Sequence, residues 1–283
     1  MSVSHKPGLR FGALMLGAVV VCAPAVRAFQ DAAPDPEEQA AEAMDRLKEA
    51  VADRDAAAVQ QSLRALDEVY GSVQPKTVKK IGAAVTRLFK DFVPRVEIDV
   101  PVTAPLPGDE PEPVNMDAMH EVLACYTLAV GIMHDKPEGA DVLLPLLKLK
   151  HVKELPRTTA LVIEGLGYRR DPQLTKTLAP YLGDAAPEVA GAAAGALAQL
   201  QDHPQADRVV AVKAILDAFD AAATAVEKEQ RRTKPDDPHP AADHLSLLEV
   251  PFGEALKSLT RQRFDTPAEW RTWFAEHGKE TDW

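Results

Sequence analysis

The sequence predicts an all-α fold, built as an α-solenoid of antiparallel helix pairs. Three observations carry that prediction. Apolar residues recur at the 3.6-residue period of an amphipathic helix over most of the chain. Alanine and leucine dominate the apolar share while aromatics make up only 5% of residues, a composition for close-packed helices rather than a β-sandwich. Two stretches also repeat each other at nearly constant spacing, the mark of a stacked architecture.

The first 28 residues read as an export signal. His5, Lys6 and Arg10 form a basic start without an acid, and an apolar run follows from Phe11 to Cys22. Val26, Arg27 and Ala28 then make a small-x-small site that places the cut after Ala28. The run is shorter than the roughly 20 residues a membrane-spanning helix needs. A periplasmic or extracellular protein without an integral membrane segment is therefore expected once the signal is removed. Cys125 is then the sole cysteine, so no internal disulfide forms and stability must come from packing.

Acids outnumber bases 43 to 32, and losing Lys6, Arg10 and Arg27 with the signal deepens the negative charge. A field of that sign disfavours nucleic acid. Three local basic groups stand out: Lys76, Lys79 and Lys80; Lys148, Lys150, Lys153 and Arg157; Arg169 and Arg170. Each is read as a solvated helix face or helix C-terminus.

A linker over 29–36 ends in Asp35 and Pro36, a natural helix entry. An N-terminal helical subdomain is expected over 37–90, in three helices. Met44, Leu47 and Val51 stripe the first, 37–52. Val59, Leu63, Leu66 and Val69 stripe the second, 56–70, and Val78, Ile81, Val85 and Leu88 the third, 76–90. Residues 91–116 are read as a Pro-rich acidic linker: Val96–Val102 alternates like an exposed strand, and five prolines between Pro101 and Pro113 forbid a helix.

The main repeat domain is expected over 117–278, followed by a tail, 279–283. Its first helix, 117–134, carries Met119, Val122, Tyr126, Ala129 and Met133 on one stripe. Leu143–Leu147 and Leu178–Leu182 agree at three of five positions, 35 residues apart. Pro156 with Gly165–Gly167 corresponds to Pro187 with Ala196–Ala198 at an offset of 31, the difference being a longer loop in the first copy. Each unit thus reads as a helix, a turn and a second helix opening with Pro. A looser third copy holds Val212, Leu216 and Ala255–Leu259, interrupted by a charged helix to about Arg232 and an insertion loop within 230–243. In the last helix Thr266, Pro267 and Glu269 spell a capping box, and Trp270, Trp273 and Phe274 share one face to close the stack. Trp283 carries no signal of its own.

The unit from Asp171 to Leu197, with Pro172, Leu178, Leu182, Asp184, Pro187, Val189, Ala193 and Leu197, resembles the HEAT-like repeat, in the short bacterial form also found in bilin lyases. The ending Leu259, Thr260, Gln262, Phe264, Trp270 and Trp273 resembles the tail of secreted bacterial HEAT-repeat proteins. Good matches cover about 137–200 and 245–278. The chain departs from the pattern at Ala190, where an Arg is usual, with Gly191 following, and at Arg261, where Gly is usual. The resemblance implies an armadillo-type stack with a concave binding surface, and it carries no catalytic residues to transfer.

No catalytic, cofactor or metal site is expected. Met116, Met119, His120, Cys125, Met133 and His134 are soft-metal donors, yet His120 and His134 lie about 21 Å apart along a helix. Cys125 is read as a buried inert thiol. His120 and Glu121 are no zinc-protease motif, because Ala124 takes the second histidine's place. Asp236, Asp237, His239, Asp243 and His244 gather in a loop read as solvated. Ser62, Ser72, Ser246 and Ser258 lack a nucleophile-elbow context, and Gly165 with Gly167 is read as a helix C-terminus that favours Gly.

The function expected is that of an exported, non-enzymatic scaffold binding a protein partner through second helices near 156–168, 187–200 and 251–262. Arg157, Glu164, Glu188 and Lys257 are candidates for that face. The alternatives are a bilin-lyase-like handler of a prosthetic group and a structural component of the cell envelope.

Overall fold

In the first helix, α1 (Pro36–Asp53), Asp35 accepts a hydrogen bond from the Glu37 amide at 3.0 Å, and Pro36 occupies the first turn. Asp55 caps α2 (Ala56–Tyr70) in the same way through Ala58, also at 3.0 Å. The start of α3 (Pro75–Asp91) is capped from another helix. The Glu37 carboxylate accepts from the Gln74 amide and the Thr77 hydroxyl, both at 2.5 Å, and the Thr77 bond above all holds its pKa low. The computed structural model describes residues 35–93, 116–134, 136–234, 237–280 and 283. The signal, residues 29–34 of the linker, the strand-like segment 96–102 and most of 91–116 lie outside them.

The helices predicted over 37–52, 56–70 and 76–90 form within one residue of those bounds, and all but one of their stripe residues are buried, Met44 being half-buried. The next helix, α4 (Met116–Met133), buries Val122, Tyr126, Ala129 and Met133. Tyr126 stacks on Phe89 with ring centroids 4.1 Å apart, and its hydroxyl donates to the Phe92 carbonyl at 2.8 Å. The hydrogen bond satisfies a phenol that packing has withdrawn from water.

Beyond α4 the elements are α5 (Gly139–Leu146), α6 (Lys150–Glu154), α7 (Pro156–Gly167), α8 (Thr175–Leu178), α9 (Pro187–Ala198), α10 (Gln205–Gln230), α11 (Pro240–Thr260) and α12 (Pro267–His277). All are helices; the described residues contain no strand. Second helices do open on Pro156 and Pro187, as the repeat predicts. The first helix of the second copy is broken into single turns: 3₁₀ turns at Pro172–Leu174 and Ala179–Gly183 flank the four-residue α8. Pro172 and Pro180 lack the amides that a continuous helix would bond.

Three sequence expectations are corrected. The insertion loop ends at His239 rather than 243, because the Glu229 carboxylate at the end of α10 accepts from the Ala241 and Ala242 amides at 2.9 and 3.3 Å and so caps α11. The second helix of that copy begins at Pro240 rather than near 251 and runs through Pro251, whose ring faces Gly191 of α9. Gly165 and Gly167 do end α7, but through close packing rather than left-handed backbone. A Cβ on Gly167 would stand 2.6 Å from the Ala196 Cα, while the left-handed residue is Arg170 at φ 52°. Arg261, where the resemblance expects Gly, is itself left-handed at φ 60°.

Residues 35–283 form one compact unit. In one row α2 packs on α4, α4 on α7, α7 on α9 and α9 on α11. In the other, α1 packs on α3 and α3 on α5, and further along α10 meets both the Ala179–Gly183 turn and α12. Rows are joined by α1 on α2, α5 on α7 and α10 on α11. The 91–116 segment therefore connects helices that share a core. No helix among the described residues is long and apolar enough to cross a membrane.

Trp283 has a clear place. Its ring lies 5.4 Å from Trp273 and 6.4 Å from Phe274, with the Arg208 guanidinium 5.1 Å above it. Arg208 also donates to the Leu259 carbonyl at 2.5 Å and to the Trp283 carbonyl. Burial lowers the pKa of this guanidinium.

Candidate interaction surface

The row α4, α7, α9 and α11 turns one stripe of each helix outward. On α7 that stripe is Arg157, Leu161, Glu164 and Tyr168, at helical spacings of four, three and four. On α9 it is Glu188, Gly191 and Gly195; on α11, Leu247, Val250, Glu254 and Lys257. The four charged residues singled out in the sequence are thus all exposed and all on this row. Lys257 is held by Glu254 at 3.3 Å. The Glu164 side chain is on the surface, but the helices beside it shield its carboxyl enough from water to raise its pKa.

Sequence reasoning missed the apolar members. Tyr168 is 59% exposed, Leu247 59% and Val250 72%. The His134 ring, just past the end of α4, meets Tyr168 edge-on at 4.8 Å. Leu247 and Val250 escaped notice because the helix was expected to start after them.

Where α4, α7 and α9 begin, the surface dips into a recess of about 240 Å³. Met119, Val122, Leu123, Tyr126, Leu155 and Pro156 line it, and His120, Arg157, Thr158 and Glu188 add polar groups. An apolar floor with a few polar groups at its edge suits an apolar side chain with a polar neighbour.

Glycine sets the shape of the α9 stripe. Gly195 sits inside a helix, exposed, and a Cβ there would meet nothing within 4 Å. A helix-interior Gly costs about 0.5–1 kcal/mol relative to Ala. Gly195→Ala is therefore expected to raise stability by about that amount in urea unfolding. Gly167, by contrast, is required by packing.

The other sequence candidates do not assemble. Cys125 is wholly buried in α4; its thiol donates to the Ala56 carbonyl at 3.5 Å, and burial pushes its pKa up to about 11. Met133 is core, whereas His120 is exposed. His134 lies 2.5 Å from the Gly131 carbonyl. In the insertion, Asp237 accepts from the Lys234 amide at 2.8 Å and His239 lies 3.8 Å from Glu229, while Asp243 and His244 are on α11. Asp236 lies outside the described residues. Ser62 is buried and bonded to the Ala58 carbonyl at 2.8 Å. Among the described residues no three His, Cys, Asp or Glu side chains stand together as a metal site would require.

Compared with family models, curated proteins and solved structures, the chain matches none.

Proposed function

We propose that the protein is an exported, non-enzymatic scaffold, a HEAT-like solenoid of helix pairs that binds another protein through the face of α4, α7, α9 and α11. The observation that carries this reading is the apolar recess at the starts of three neighbouring helices, in a row that also exposes Tyr168, Leu247 and Val250. An apolar recess with polar groups at its edge marks a place where another molecule sits.

The stacking of successive helices in two rows, and a left-handed Arg261 at the position where the tail pattern has Gly, support the solenoid part. Export rests on the sequence of residues 1–28, and the binding face on the second helices of successive pairs.

A photo-crosslinking residue placed at Leu161 or at Val250 in intact cells tests the reading. Both positions are expected to capture the same protein, whereas Lys213, exposed on α10, captures none. Equal capture at Lys213, or none at Leu161 and Val250, overturns it.

A further inference from the structure

The exposed side of α3 is basic. Lys76, Lys79, Lys80, Arg87 and Lys90 stand there against one carboxylate, Asp91, in a chain whose acids exceed its bases 43 to 32. Beside it, between α3 and α1, runs a half-open groove of about 290 Å³. Met44, Leu47, Val51 and Leu88 form its apolar floor, and Lys48, Lys80 and Arg87 rim it with a single acid, Asp45. A further recess along α3 continues it past Arg87 to Lys90.

No ion pair within 4.0 Å joins Lys48, Lys80 or Arg87 to a carboxylate among the described residues. Glu37, whose charge Lys80 stabilises, has both oxygens engaged by Gln74 and Thr77.

We propose that this groove docks an acidic amphipathic helix of a partner protein, at a surface separate from the α4–α11 face. An apolar stripe at i, i+3 or i+4 and i+7 covers the floor, and Asp or Glu flanking it reach the rim cations. The dimensions agree. Met44 to Val51 spans about 10 Å and Lys80 to Lys90 about 15 Å along their helices, the length of two to three turns. A flat anionic bilayer would meet the rim and leave the recessed floor uncovered, whereas a helix ridge fills both.

The test titrates the purified full-length protein with a fluorescent helical peptide of Leu and Glu, Leu falling at i, i+3, i+4 and i+7. A second peptide has Gln in place of every Glu. The Glu peptide is expected to bind at least about tenfold more tightly, and less tightly as salt rises. Lys48→Glu combined with Arg87→Glu, both at exposed positions, is expected to abolish that preference without moving the thermal transition, and to favour a Lys-for-Glu peptide. Equal affinity for the Glu and Gln peptides overturns the proposal. So does flotation with phosphatidylglycerol vesicles through these residues without peptide binding, or self-association of the wild type that the double variant loses.

Discussion

Trp270→Ala is expected to cost about 3–5 kcal/mol of stability, the range for truncating a buried aromatic side chain. Trp270 is 2% exposed, the one fully covered ring of the C-terminal group. Phe264 meets it edge-on at 4.8 Å, and Trp273 meets it at 6.5 Å with the planes at 90°. Trp270 belongs to the buried core, and α12 packs on α10, where Arg271 pairs with Asp217 at 3.2 Å and with Asp220. The capping box survives the substitution, since the Thr266 hydroxyl accepts from the Glu269 amide at 3.3 Å and Glu269 accepts from the Thr266 amide at 3.0 Å. α12 therefore keeps its helical start and loses its anchor. Urea unfolding followed by circular dichroism reads the effect. A loss below about 1 kcal/mol would show that the last helix is an appendage rather than the closing layer of the core.

Gly167→Ala is the second large effect, expected at about 1–3 kcal/mol from one added methyl group. The new Cβ would stand 2.6 Å from the Ala196 Cα and 2.7 Å from its Cβ. Backbone cannot turn aside as a side chain can, so α7 and α9 must separate. At Gly165 the opposing atom is the Cγ1 of Val130, a buried β-branched side chain of α4 with little rotamer freedom, so the same substitution there is destabilising too. At Gly195 nothing opposes, and the sign reverses. Three glycines in two neighbouring helices thus separate packing from propensity.

Helix positions were legible because the 3.6-residue period is a local signal. Ile81, Val85 and Leu88 fall on one face whatever lies opposite, and all three are wholly buried. Caps were legible for the same reason: Asp35 and the Thr266–Glu269 box work within four residues of themselves. Long-range chemistry was not. Glu229 capping α11 joins residues twelve and thirteen apart, so the sequence left 240–243 as loop. The exposure of Tyr168, Leu247 and Val250 depends on which helices stand beside α7 and α11. Trp283 looked idle because its partners, Arg208 above all, are far away in sequence. Basic residues on α3 were read as a solvated face; the apolar floor that gives them meaning comes partly from α1.

The central claim is that neighbouring helices share one continuous buried seam, and native-state hydrogen exchange on Gly167→Ala tests it most directly. Forcing α7 from α9 is predicted to speed amide exchange in both and in their outer neighbours, α4 and α11. Faster exchange confined to α7, with α9 and α11 as protected as in the wild type, would contradict it.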